Sequence, residues 1–202
     1  GEPVMSDTDR AAAHVSPKIS AAEMEATRVA RFKDLKKFNV AFVDSLLPEH
    51  RKKNLKVIGR GVVEDPRMNP PIADDHGFTV AFITCEPNTG AALHSHETAE
   101  VFMPLNGQLV AYWGDEGEEE LTLDPWDTVS VPEGVMRGFR NPGDEELVIL
   151  AMVGQQDGGG PVTWHPEILE RAKDTGLAVE DGKLVRLDNF ALPDGMQEIE
   201  TG

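Results

Sequence analysis

GAALHSHETAEVFMPLNG, residues 90–107, sets two histidines two apart and a glutamate four beyond the second. In a strand the side chains repeat every two residues, so His94 and His96 project from one face with Cα atoms about 6.6 Å apart. Their imidazoles can converge on one ion. Glu100 asks for more. Four extended residues would carry it about 13 Å from His96, whereas the donor atoms of one site lie about 2.0–2.2 Å from the ion. The chain must turn through Glu97-Thr98-Ala99 if Glu100 is to join the pair. Threonine and alanine do not force that turn, so spacing leaves open a metal site on one hand and surface or capping histidines on the other.

Outward from this stretch, short β-rich runs follow one another from about residue 55: LKVIGRGVV, GFTVAFITC, EVFMPL, QLVAYW, ELTL, TVSVP, GFR and LVILAMV. Between them stand DPRMNPP, EPNTG, NG, GDEGEEE, DPWD, PEG and NPGDEE, all rich in turn residues. Short strands at even spacing predict an antiparallel sandwich or barrel. Period two within TVSVP predicts Val129 and Val131 on the face opposite Ser130. The acids of GDEGEEE read as a solvated hairpin tip. QQDGGGP (155–161) reads as a flexible exit, HPEILERAKDTG as a helix with Pro166 at its start and Gly176 as its stop, and LAVEDGKLVRL as a hairpin turning at Asp181-Gly182.

Upstream, residues 1–18 are polar and small and are expected to be poorly ordered, with Gly1 to Val4 a remnant ahead of Met5. Ser20 with Glu23 forms a capping-box pattern. Behind it Phe32, Leu35, Phe38 or Asn39, Phe42 and Leu46 recur at helical spacing until Pro48. The expected organisation is therefore a disordered or remnant segment (1–18), a helical N-terminal arm (19–54), a barrel (55–155) and a C-terminal extension (156–202). The phenylalanine stripe would pack inside the chain or against a second copy.

The chain has 202 residues and a formal net charge of -17. Such a field repels nucleic acid and anionic membrane, and neither is expected as a partner. Cys85, the one cysteine, closes an apolar run and reads as a core residue. No run has the length of a membrane span, and the cytoplasm is the expected compartment. No phosphate-binding loop, serine–histidine–aspartate pattern or zinc-finger spacing occurs.

GAALHSHETAEVFMPLNG resembles the first motif of the cupin superfamily, with His94, His96, Glu100 and Gly107 on the motif's positions and Asn88 where its leading glycine stands. Asparagine also tolerates the left-handed backbone. Eighteen residues later (108–125 intervening), WDTVSVPEGVMRGFRN resembles the second motif. Pro132, Gly134 and Asn141 match it, and Trp126 replaces its first glycine. The resemblance covers about residues 55–155. It implies a single-domain cupin: an all-β, double-stranded antiparallel jelly-roll barrel, here with a helical arm and a helix-hairpin tail. It also implies a homodimer and a divalent transition metal (Fe, Mn, Ni or Zn) held by three histidines and the glutamate.

One position departs from the pattern. Where the second motif supplies its third histidine, this chain has Arg137, which has no lone pair to give. His94, His96 and Glu100 remain, the ligand set of many open iron sites; the site either still binds an ion or has lost it. His165 more simply caps the helix at Pro166, His76 lies in a loop, and His14 and His50 lie in polar flanks. Period two puts Arg137 and Phe139 on one face, where the guanidinium would orient a substrate anion or pair with Glu100. The expected function is a metal-dependent, oxygenase-like enzyme acting on a small organic acid. The alternatives are a metal-free ligand-binding or sensor cupin, and an isomerase or lyase for which Tyr112, the sole tyrosine, is a candidate catalytic group.

Overall fold

The computed structural model describes residues 1–155 and 161–201. Among the described residues, fourteen strands and three α-helices follow in order: α1 (Asp7–Ala13), α2 (Ala21–Arg28), β1 (Lys37–Phe38), β2 (Lys53–Ile58), β3 (Phe78–Cys85), β4 (His94–Ser95), β5 (Glu100–Pro104), β6 (Leu109–Trp113) and β7 (Glu119–Leu123). Then come β8 (Val129–Val131), β9 (Arg137–Arg140), β10 (Leu147–Gly154), β11 (Thr163–Trp164), α3 (Pro166–Asp174), β12 (Leu177–Glu180), β13 (Lys183–Arg186) and β14 (Ile199–Glu200).

Two antiparallel sheets make the jelly-roll barrel. One has the order β14-β1-β2-β3-β10-β5-β8 and the other β11-β4-β9-β6-β7. Period-two alternation builds their inner faces: on β10, Leu147, Ile149, Ala151 and Val153 are buried, and the residues between them are less so. Ile83, Phe102, Val131 and Ile149 of the first sheet meet Leu109, Leu123 and Phe139 of the second in one core. The Phe102 and Phe139 rings meet edge-on at 5.0 Å, a favoured aromatic arrangement. Val129 and Val131 pack on this core and Ser130 is exposed, as period two predicts.

The flanks are built into the barrel. β11 joins the second sheet beside β4, and β14 joins the first beside β1. A second core sets Val40, Val43, Leu46 and Leu47 of the arm against Trp164, Ile168, Ala172, Leu177 and Leu184 of the C-terminal extension. α3 starts at Pro166 and hands over to Gly176 at positive φ, and the β12–β13 hairpin turns at Asp181-Gly182, both left-handed.

Three expectations are corrected. Residues 7–13 form a helix capped by Ser6, although nothing in it is buried. The helix capped by Ser20 ends at Arg28, and Phe32 to Leu46 form a 3-10 turn, the short β1 and tight turns instead. The apolar residues of that stretch face several surfaces rather than one: Phe38 and Ala41 pack on Met68, while Val40 and Val43 face the second core. In the run LKVIGRGVV, the strand stops at Ile58, where Gly59 and Gly61 adopt positive φ. The glycine-rich exit expected at 155–161 falls largely on residues 156–160, outside those described.

Candidate metal centre

His94 lies on β4, and Glu100 opens β5 after a bend at Glu97-Thr98. That bend is the turn the spacing demanded. It brings one donor atom each of His94, His96 and Glu100 within 4.8 Å of one another. His94 Nδ1 donates to the Ala92 carbonyl (2.7 Å), which fixes its tautomer and leaves the Nε2 lone pair free. Burial pulls its pKa down to about 4, against the opposing charge of Glu100, so the ring is neutral near pH 7. His96 Nδ1 bonds Thr98 Oγ1 (2.8 Å). Its Nε2 sits 3.4 Å from Glu100 Oε2, and neither His96 Nε2 nor Glu100 Oε1 has a hydrogen-bond partner. Burial pushes the Glu100 carboxyl up, but His96, His94 and Arg137 together hold it below the usual carboxylate range. Two imidazoles, each held through Nδ1, and a buried carboxylate with an unpartnered oxygen are a donor set that fits a divalent transition metal.

The two sequence motifs lock together around this cluster. Gly134 donates to the His96 carbonyl (3.0 Å), and the Asn88 N–H donates to the Asn141 carbonyl (2.9 Å). The Asn141 side chain donates to the Cys85 and Glu145 carbonyls. Asn88 and Trp126, which stand where the motifs have glycine, keep left-handed backbones with φ of 61° and 74°. Residues 81–153 match the family described as Cupin domain. That segment is a cupin domain.

Among solved structures, this cupin is 18% identical to the polyketide cyclase RemF from Streptomyces resistomycificus, over 68% of this chain and 84% of that one, with a TM-score of 0.49. It is 21% identical to the DMSP lyase DddQ from Ruegeria pomeroyi DSS-3 over 56% of this chain and 51% of that one, with a TM-score of 0.45. An oxalate oxidase is 20% identical over 60% of this chain and 58% of that one, with a TM-score of 0.45. The chain therefore spans little more than half the length of the lyase and the oxidase. No curated protein matches it.

Arg137 is the Cα partner of His94 on β9 and is 1% exposed. Its Nη2 donates to the Pro132 carbonyl (3.3 Å), while Nε and Nη1 have no partner. The expected alternative of an ion pair with Glu100 does not form: Glu100 sits by His96 and reaches Arg137 only as a nearby charge. Burial lowers the Arg137 pKa and Glu100 opposes that shift. Tyr112 is not with the cluster. It is the Cα partner of Gly138, on the strand face opposite Phe139, and its hydroxyl donates to the Ala91 carbonyl (2.5 Å). Burial raises its pKa further. His165 caps α3, accepting from the Glu167 N–H.

Two cavities border these residues. The first, about 70 Å³, is walled by His94, His96 and Glu100 together with Asn54, Lys56 and Trp164. The second, about 330 Å³, shares the Phe102 wall and is bordered by Arg137. Lys56, Asn54 and Trp164 carried no signal in the sequence reading. Lys56 faces the cluster, and burial pulls its pKa down to about 8 against the pull of Glu100. Trp164 lies over His94 with ring centroids 5.2 Å apart, and its Nε1 donates to the buried Glu64 (3.0 Å).

Proposed function

We propose that this cupin is a metal-dependent enzyme of the oxygenase kind acting on a small organic acid. The convergence of His94, His96 and Glu100, with His96 Nε2 and Glu100 Oε1 left unpartnered in a buried site, carries the reading. A divalent transition metal held there supplies a Lewis acid for an oxygen of the bound acid. The chain's own residues do the rest. Ala92 and Thr98 hold the two imidazoles in place through Nδ1. Trp164 covers His94, and the small cavity limits what else enters. Lys56, its pKa near 8, can hold an acid's carboxylate or pass a proton at Nζ. Elemental analysis after refolding with Fe, Mn, Ni or Zn tests this. Wild type should retain metal and His94→Ala should lose most of it, because three protein donors leave none spare. Equal, near-zero metal in both would overturn the reading.

A second reading, a metal-free binding cupin, is favoured by Arg137 at the position where the motif has histidine. Arg137→His distinguishes the two: a gain in metal affinity supports a cavity shaped for an ion. The proposal includes a homodimer, for which the partly exposed Phe32 offers apolar surface; sedimentation equilibrium checks it.

A further inference from the structure

We infer that the larger cavity is a binding site for a monocarboxylic acid with an apolar body, its carboxylate taken by Arg137. The inference rests on the small-acid reading above but does not need the ion. At about 330 Å³ the cavity has the size that small ligands occupy. Phe102, Ala111, Trp113, Val129, Val131 and Val135 make its walls almost wholly apolar. Its charged side chains reduce to one. Ser130 belongs to the exposed face of β8, and the Tyr112 hydroxyl is committed to Ala91. Arg137 remains.

A guanidinium stays charged at any physiological pH, and burying it without a counter-charge is costly. Among the described residues Arg137 makes no ion pair, and its one hydrogen bond ties it to Pro132, itself part of the cavity wall. Two of its donor nitrogens are unused. That fork matches a carboxylate in shape and charge. A phosphate or a sugar would need several further donors, which these walls lack. The way in is also built. Leu121 is the Cα partner of Ala111 and so shares the inner face, yet it is 39% exposed. The cavity thus opens to solvent beside β7, an edge strand.

The test is calorimetric titration of the EDTA-treated full chain with acetate, octanoate and octanol. No activity or metal enters the readout, so failure here leaves the metal proposal standing, and the reverse holds too. Octanoate should bind at least tenfold tighter than either acetate or octanol, with each added methylene worth about fourfold. Arg137→Met should weaken octanoate at least tenfold, as loss of a charged hydrogen bond does, and Arg137→Lys should recover part of it. Ala111→Leu keeps the guanidinium, fills part of the cavity and should also weaken octanoate. It decides the matter alone if Arg137→Met does not fold. Octanol binding as tightly as octanoate, or octanoate affinity unchanged in the folded variants, would overturn the inference.

Discussion

Glu64 gives the sharpest prediction about how solution conditions reach the cupin site. Its side chain is 2% exposed and accepts the Val43 N–H (2.9 Å) and the Trp164 Nε1–H (3.0 Å). Burial pushes its pKa from 4.5 up to about 7, and the two donors only partly offset that. Between these values the folded chain holds the proton more tightly than the unfolded chain does. Stability therefore falls as pH rises from about 4.5 to about 7, and the loss is complete above the folded pKa. At 1.36 kcal/mol per unit, the shift amounts to about 3 kcal/mol. Glu64→Gln cannot ionise and lacks this slope. Urea denaturation of both proteins from pH 5 to pH 8 isolates the contribution, because other titrating groups cancel in the difference. Wild type should lose about 2 to 3 kcal/mol relative to Glu64→Gln across that window. A difference constant to within about 0.5 kcal/mol would refute the assignment of a buried, proton-holding Glu64.

Asp44→Ala should destabilise by about 3 to 5 kcal/mol in the same assay, because it strands the buried Lys52 ammonium that now sits 2.7 Å from Asp44; a loss below about 1 kcal/mol would contradict a buried pair. Gly138→Ala places a Cβ 2.4 Å from the Tyr112 ring and should cost about 1 to 3 kcal/mol by overpacking, with Tyr112→Leu in the same chain restoring most of it. Trp126→Gly should raise the urea midpoint, by about 1 kcal/mol in stability, since Trp126 is 70% exposed yet holds a left-handed backbone; a lowered midpoint would mean that the indole packs after all.

The barrel was legible in the sequence because its inner faces keep period two where it matters, as in Val129-Ser130-Val131 and along β10. The candidate cluster was half legible. HxH fixes His94 and His96 on one side, but the bend at Glu97-Thr98 is held by tertiary contacts such as Gly134 on the His96 carbonyl, which no local residue announces. The arm misled for a physical reason. From Phe38 to Leu47 nearly every residue is covered, so apolar positions fall at helical spacing by abundance rather than by facing one side. Lys56 was hidden by the same arm. Local hydropathy would turn Leu55 inward and Lys56 outward, yet Leu55 is paired with Phe82 on the outer face, which Phe32 covers edge-on at 5.3 Å. With that face sealed, Lys56 is the one that turns toward the cluster.

The same contacts tie residues outside the matched segment 81–153 to the candidate site. His94 is oriented by the Ala92 carbonyl, and the Ala92 N–H is held by Asp44, which Lys52 in turn neutralises. The face of His94 is covered by Trp164, whose indole is fixed by Glu64, which also binds the arm at Val43. Asp44, Lys52, Glu64 and Trp164 all lie beyond the family segment. Partners of this kind set the tautomer and basicity of a ligand histidine, and losing one typically weakens a metal site tenfold or more. The two cavities draw on different parts of the chain accordingly. The small one, at the His94–His96–Glu100 cluster, is lined in part by the arm and by β11, whereas the larger one is lined by β5 through β9, within the matched segment, with Arg137 its one charged side chain.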